Sequence, residues 1–411
     1  MTHPLPVAPP PDRDPAAPLV EPGGLADAVV FLSPSNRMVG HGIAHAADPG
    51  GDSDGDPDKG AGDPARRLAR LFEAARRDGR APVVMGAIPF DVSGPSRLIV
   101  PRDLDRLSPA GWQAALRRLP GTATTPATPP RPPRAHPLPD PDGYRRAVAG
   151  GLARIAEGRL AKLVLARSLD LEADEPIDPG RVLAALIRRH PASFLYSVPL
   201  PPETGRDAGV FLGASPELLV RRVGGRVHAT PLAGTIAASP DPAENARRVE
   251  RLLASEKDRH EHAFAARAVA ETLRPFCRTI EVPATPGVVA AGPVIHLSTP
   301  IVGELRAPHA GALELALALH PTPAVGGTPT DAAVAAIAEL EGVGRGLYAG
   351  MVGWCDAGGD GEWAVSLRCA EIRGRRARLF AGAGIVHGSD PEAELEETAA
   401  KLKTMLAALG F

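Results

Sequence analysis

Short strand-length patterns alternate with helical ones along the second half of the chain, and that alternation limits the fold more than any single motif. Residues 162–171 (KLVLARSLDL), 194–198, 209–212, 217–222 and 226–230 read as strands. Residues 144–157 and 181–190 carry helical periodicity, and 241–276 reads as one long helix, with a break allowed. Residues 294–304 read as extended, and 330–341 as a short helix with Thr330 as its N-cap. Three strand patterns then follow at 347–356, 362–372 and 376–385. A final helix spans 389–409, with Ser389 and Glu392 at capping-box spacing and Pro391 near its first turn. Strand runs interspersed with helices point to an α+β fold in which helices cover sheets.

The first 141 residues are sparser in signal. Residues 1–25 are rich in Pro and Ala and are expected to be a disordered tail. Residues 28–31 read as a strand, 63–78 as an amphipathic helix ended by Gly79, and 83–92 as a buried strand pair or bend. The acidic segment 47–64 begins like a calcium loop at Asp52, Asp54 and Asp56, but has Pro57 where the bend needs Gly and Asp63 where Glu should close the loop. A solvated loop is expected there. Residues 119–141, rich in Pro and Thr, have the composition of a connector. The expected organisation is a tail (1–25), an N-terminal part of the fold (26–141) and a catalytic region (142–411).

The length of 411 residues, 44% of them hydrophobic, supplies a sizeable core. A net charge of -2 gives no general field for polyanions, so neither nucleic acid nor a membrane surface is an expected partner. Cys277, Cys355 and Cys369 form no metal or disulfide pattern and read as free thiols of a cytoplasmic protein. The N-terminus lacks the basic and apolar regions of a signal peptide, and no stretch approaches the ~18 apolar residues of a transmembrane helix.

Two acidic pairs stand out. Asp258 and Glu261 are three residues apart on the long helix, and Glu394 and Glu397 are three apart on the last, with Lys401 one turn on. Each pair repels itself. If the two helices face each other, the pairs make an oxygen-rich pocket suited to a hard divalent cation such as magnesium. Taken singly, such pairs more often lie on solvated faces, and helix-dipole complementarity explains acid in a first turn.

From residue 142 onward the chain resembles the chorismate-binding enzymes. Eight blocks carry the resemblance, in order: KLVLARSLDL (162–171), FLGASPELLVRR (211–222), PLAGTIAAS (231–239), SEKDRHEHAFAARAV (255–269), HLSTPIVGEL (296–305), LHPTPAVGGTPTDAA (319–333), YAGMVGWCDAGGDGEWAVSLRCAEI (348–372) and AGAGIVHGSDPEAELEETAAKLKTML (381–406). It implies antiparallel sheets packed as a central sandwich with helices outside. It also implies roles. Lys162 matches the base that activates water, and Glu217 the acid that protonates a departing ring hydroxyl. Glu261 and Glu397 match direct magnesium ligands, and Asp258 and Glu394 ligands acting through water. Arg368 and Lys401 match carboxylate binders. Gly234, Thr235 and Gly382 match contacts near the substrate, and His296 a positioning residue near the ring. Ala324 stands where pyruvate-eliminating members more often carry Thr, whereas Tyr348 is shared with those lyases.

Lys162 and Ala324 favour the members that add water and stop there. The expected activity is therefore isochorismate synthesis: magnesium-dependent addition of water to chorismate at C2 with loss of the C4 hydroxyl, serving catecholate siderophores, by a monomer. Salicylate formation or another chorismate-utilising lyase activity, including an aminating one, and an inactive protein that only binds chorismate, are the alternatives.

Overall fold

The computed structural model describes residues 24–47, 63–80, 82–118, 132–202 and 205–411. The acidic calcium-like segment, nearly all of the Pro/Ala-rich tail and most of the Pro/Thr-rich connector lie outside the described residues.

Twenty strands and nine α-helices make up the described chain. In order they are β1 (Ala28–Leu32), β2 (Arg37–Ala47), α1 (Pro64–Arg77), β3 (Val83–Ile88), β4 (Arg97–Arg106), α2 (Pro109–Arg118), β5 (Arg134–Leu138), α3 (Pro141–Ala156), β6 (Lys162–Glu172), α4 (Pro179–Arg189), β7 (Phe194–Leu200), β8 (Gly209–Ser215), β9 (Leu218–Val223), β10 (Arg226–Thr230), β11 (Leu232–Ala237), α5 (Pro242–Ala254), α6 (Glu256–Leu273), β12 (Cys277–Glu281), β13 (Gly287–Ala291), β14 (Val294–Ser298), β15 (Ile301–Leu305), α7 (Ala312–Leu319), β16 (Gly327–Thr328), α8 (Thr330–Glu341), β17 (Met351–Asp356), β18 (Gly361–Val365), β19 (Cys369–Arg373), β20 (Arg376–Ile385) and α9 (Pro391–Leu409).

Five of these helices begin in the same way. Asp63, Asp140, Asp178, Asp241 and Asp390 each precede a Pro at the first helical position, and each accepts a backbone N–H through its side chain. Proline supplies the helical φ where its missing N–H costs nothing, and the carboxylate satisfies an orphan donor for about 1 kcal/mol. This corrects the reading of Ser389 as the last N-cap. Asp390 holds that position, and Ser389 Oγ accepts from Val386 N at 3.2 Å. Thr330 is likewise no cap: α8 starts after Pro329 with no side-chain cap. The helix expected over 241–276, with a break allowed, is broken into two at Ser255. Ser255 ends α5 and caps α6, its hydroxyl taking the N–H of Asp258 at 3.2 Å. The residues read as extended over 294–304 also divide, β14 and β15 entering different sheets.

Seventeen strands form one antiparallel sheet. Its neighbours run β12, β15, β10, β9, β18, β17, β3, β4, β2, β1, β7, β8, β19, β20 and β6, and β6 then pairs with both β5 and β16. The N-terminal strands β1–β4 thus sit in the middle of the order, between the strands of the later half. One core cluster takes Trp363 from β18 and Leu219 from its neighbour β9 together with Tyr196 from β7 and Phe211 from its neighbour β8, two strand pairs far apart in the order. The sheet is therefore strongly curled, enclosing its main core. A second, three-stranded sheet (β13, β14, β11) carries α5 and α6 and has a small core of its own around Leu252, Ile295 and Leu297. Among the described residues no helix is long and apolar enough to cross a membrane.

Candidate active site

The site lies where the small sheet and α6 meet the ends of β6, β20 and α9. Nine of the residues singled out from sequence line one cavity: Glu217, Thr235, Glu261, His296, Ala324, Tyr348, Arg368, Gly382 and Lys401. The cavity is small, about 50 Å³.

Glu217 follows β8 and is 2% exposed. Its carboxylate accepts the Leu232 N–H at 3.4 Å, and its own N–H donates to Ser215 Oγ at 3.2 Å. Burial pushes its pKa up to about 8, against smaller opposing effects from the Leu232 N–H and the charges of Lys162, Arg368 and Lys401. Glu217 is therefore a neutral acid at pH 7, with three cations around it.

Arg368 is buried and adopts φ +48°, a left-handed conformation that a non-glycine residue holds only when its surroundings fix it. Its Nη2 lies 2.9 Å from His296 Nε2, and His296 Nδ1 lies 3.0 Å from Thr235 Oγ1. Burial, then Arg368 and Lys401, hold the His296 pKa well below its usual value, so the ring is neutral. An arginine only donates, so Nε2 accepts and Nδ1 carries the proton toward Thr235. His296 thus orients Arg368 and is a poor proton carrier. Lys401 Nζ donates to Gly382 O at 2.8 Å and to Glu397 Oε1 at 2.6 Å. Tyr348 stacks on Phe380 at 5.1 Å between centroids.

Two glycines hold these parts close. Gly234 occupies a bulge in β11 at φ +72°, where a Cβ would meet Asp258 O at 3.0 Å. At Gly382 a Cβ would meet the Tyr348 hydroxyl at 2.9 Å.

Lys162, expected as the base that activates water, stands behind the cavity wall. It is fully buried and does not line the cavity. Its Nζ lies 3.1 Å from Glu261 Oε1, which does. The ammonium has no well-aligned hydrogen bond, so this is an ion pair set by charge and distance alone.

The four carboxylates come into one region, since Lys257 of α6 reaches Glu394 of α9 at 3.2 Å. They do not converge. Glu261 pairs with Lys162, Glu397 with Lys401 and Glu394 with Lys257. Asp258 accepts from Ser255 Oγ and from Thr235 N. No three His, Cys, Asp or Glu side chains among the described residues are arranged to hold an ion. In kind the donors suit a hard cation. In this arrangement lysines occupy the carboxylates a cation would take. Burial, and then Glu397, raise the Glu394 pKa, the expected strain of two acids one turn apart.

Sequence reading missed Gly384. A Cβ there would lie 2.1 Å from Glu261 Oε1 and 3.4 Å from Lys162 Cε. The signal was present: Gly382 and Gly384 are two apart on β20 and so face the same side. Gly384→Ala should displace Glu261 and lower kcat by roughly 100-fold, as misplacement of about 1 Å does. Near-normal kcat in a folded Ala variant would separate Glu261 from the chemistry.

A family model described as chorismate binding enzyme matches residues 102–410. The chain belongs to the chorismate-binding enzyme family. Isochorismate synthase DhbC of Bacillus subtilis is 48% identical over 347 residues, covering 84% of this chain and 85% of that protein. Isochorismate synthase EntC of Escherichia coli K12 is 42% identical, covering 84% of this chain and 86% of that protein. A crystal structure of DhbC from Bacillus anthracis, assigned as a 2,3-dihydroxybenzoate-specific isochorismate synthase, superposes with a TM-score of 0.82 at 39% identity, covering 94% of this chain and 97% of that one. As a chorismate-binding enzyme, this chain presents a small-molecule cavity in which two cations, Arg368 and Lys401, line the wall with a neutral Glu217.

Proposed function

We propose that the chain is an isochorismate synthase, adding water to chorismate at C2 and expelling the C4 hydroxyl. The observation that carries this is Glu217, a buried carboxyl held protonated at neutral pH in a cavity that Arg368 and Lys401 also line, with Lys162 buried behind its wall. A carboxylic acid with a pKa near the working pH can protonate a leaving hydroxyl. Arg368 and Lys401 take the two carboxylates of chorismate, exchanging their present contacts with His296, Gly382 O and Glu397. Pockets that enclose small molecules hold about 300 Å³ or more, so this exchange also widens the cavity. With Glu261 drawn off it, the Lys162 ammonium gives up a proton to solvent, and the neutral amine then accepts the proton of the attacking water as its oxygen bonds to C2.

In this reading a magnesium ion would be held directly by Glu261 and Glu397, with Asp258 and Glu394 acting through water, and would supply positive charge against a substrate carboxylate. The product serves 2,3-dihydroxybenzoate formation, in keeping with the name of the Bacillus anthracis relative. The buried free thiols favour the cytoplasm as its place of work, and we assign a monomer.

The test is a product assay with chorismate and magnesium, with and without ammonia. Isochorismate alone, lost on adding EDTA, is expected. Salicylate with pyruvate would make Tyr348 the deciding residue and the chain a lyase, and no turnover would leave a binding protein. Glu397→Gln should raise the magnesium needed for half-maximal rate by roughly tenfold, since one ligand charge is removed. Unchanged activity at limiting magnesium would remove Glu397 from the metal site.

A further inference from the structure

Behind the wall of the candidate active-site cavity lies an ion pair that does not line that cavity. Glu341 ends α8, Arg345 follows one turn later, and each is only 5% exposed. Arg345 Nε donates to Glu341 Oε2 at 3.0 Å and Nη2 to Oε1 at 2.5 Å, a two-pronged contact. The remaining polar reach of the pair goes to backbone. Nη1 donates to Val325 O at 2.6 Å and Nη2 to Val164 O at 2.9 Å, while Glu341 Oε1 accepts Ala166 N at 2.7 Å. The Arg345 carbonyl accepts the N–H of Tyr348 at 3.0 Å, and its guanidinium lies over the Phe90 ring at 4.4 Å.

Those backbone groups belong to the cavity's walls. Val164, Ala324, Val325 and Tyr348 line it, and Ala166 is the cross-strand partner of Gly382, which also lines it. A buried charge pair is weak support for stability, because desolvation offsets the attraction. Its use here is geometric: one planar fork ties strand β6, the 322–326 loop and the turn leading to Tyr348 to a fixed spacing.

We propose that Glu341 and Arg345 are positioning residues for the reaction, setting the separation of the cavity walls that carry Val164, Ala324, Val325 and Tyr348. The inference rests on reading the cavity as the chorismate site.

Arg345→Lys keeps the charge and loses the fork. Glu341→Gln keeps the shape and the acceptor for Ala166 N but loses the charge. Both are made in the full chain and studied well below each variant's thermal midpoint. For Arg345→Lys, kcat should fall roughly 30- to 100-fold, with KM for chorismate changed by less than about fivefold. Amide exchange should accelerate by about tenfold in segments 162–168 and 322–328 but not in β1 and β2. Glu341→Gln should shift both readouts the same way, by less. A purely structural role predicts a lower midpoint with wild-type kcat below it. That result, or unchanged exchange in both segments, overturns the proposal. Should the wild type fail to turn over chorismate, the functional reading falls by itself, and the exchange measurement still decides whether the pair holds the walls.

Discussion

Lys162→Ala should lose about a thousandfold in kcat while KM for chorismate changes little. A positioned base contributes on the order of 10²–10⁴ to a rate, and Lys401, the lysine that lines the cavity, is no substitute, since in this reading it holds a chorismate carboxylate. Lys162→Arg does not rescue the loss: it restores a cation beside Glu261 but cannot be deprotonated in a protein. The pair of variants therefore separates the two things Lys162 could be doing, neutralising Glu261 and taking a proton. Steady-state kinetics at saturating magnesium read it directly. Recovery in the Arg variant would make Lys162 a counter-charge only. Activity within about threefold of wild type in the Ala variant would move the base elsewhere.

The sequence made the parts of this site legible more readily than their state. Helical spacing alone paired Asp258 with Glu261 and Glu394 with Glu397, because residues three apart share a face. The resemblance supplied Glu217, Arg368 and His296, which lie in the β8–β9 connection, the β18–β19 connection and β14. Nothing in one dimension could have said that Lys162 would sit behind Glu261, or that each metal-type carboxylate except Asp258 would meet a lysine. Those are facts of three-dimensional proximity. The long helix was legible except at Ser255, whose hydroxyl competes with the helix for the Asp258 N–H, so that Asp258 falls in a first turn instead of mid-helix. Several strands were missed for a common reason. β2 (RMVGHGIAHAA) and β11 (LAGTIA) carry glycines that weaken the strand pattern, yet they are fixed by pairing with β1, β4 and β14. The helix α7 (ALELALAL) is almost wholly apolar and largely buried, so its periodicity is faint. The repeated Asp-Pro that starts five helices is readable in the sequence, and it places the N-cap of α9 at Asp390, one residue after Ser389.

Glu217→Gln should cost at least a thousandfold in kcat and stabilise the fold in a pH-dependent way. Both effects follow from one burial. The carboxyl has a pKa of about 8 against an ordinary 4.5, so the folded chain keeps a proton that the unfolded chain releases above pH 4.5. Stability of the wild type therefore falls as pH rises from about 4.5 to about 8, and the loss is complete above the folded value. The shift corresponds to roughly 5 kcal/mol. Gln has no such proton to lose, so the variant's advantage over wild type should grow between pH 5 and pH 9 in urea unfolding. The same proton is the catalytic one. In the wild type kcat/KM should decline above pH 8 as the acid ionises, and the variant, unable to donate, should show only a low, flat rate there. Chorismate should still bind the variant, because Arg368 and Lys401 are untouched. A variant that kept turnover would refute the acid role. A variant that lost turnover but showed the wild-type dependence of stability on pH would mean that Glu217 is ionised in the folded chain, and that the proton for the departing hydroxyl comes from another group.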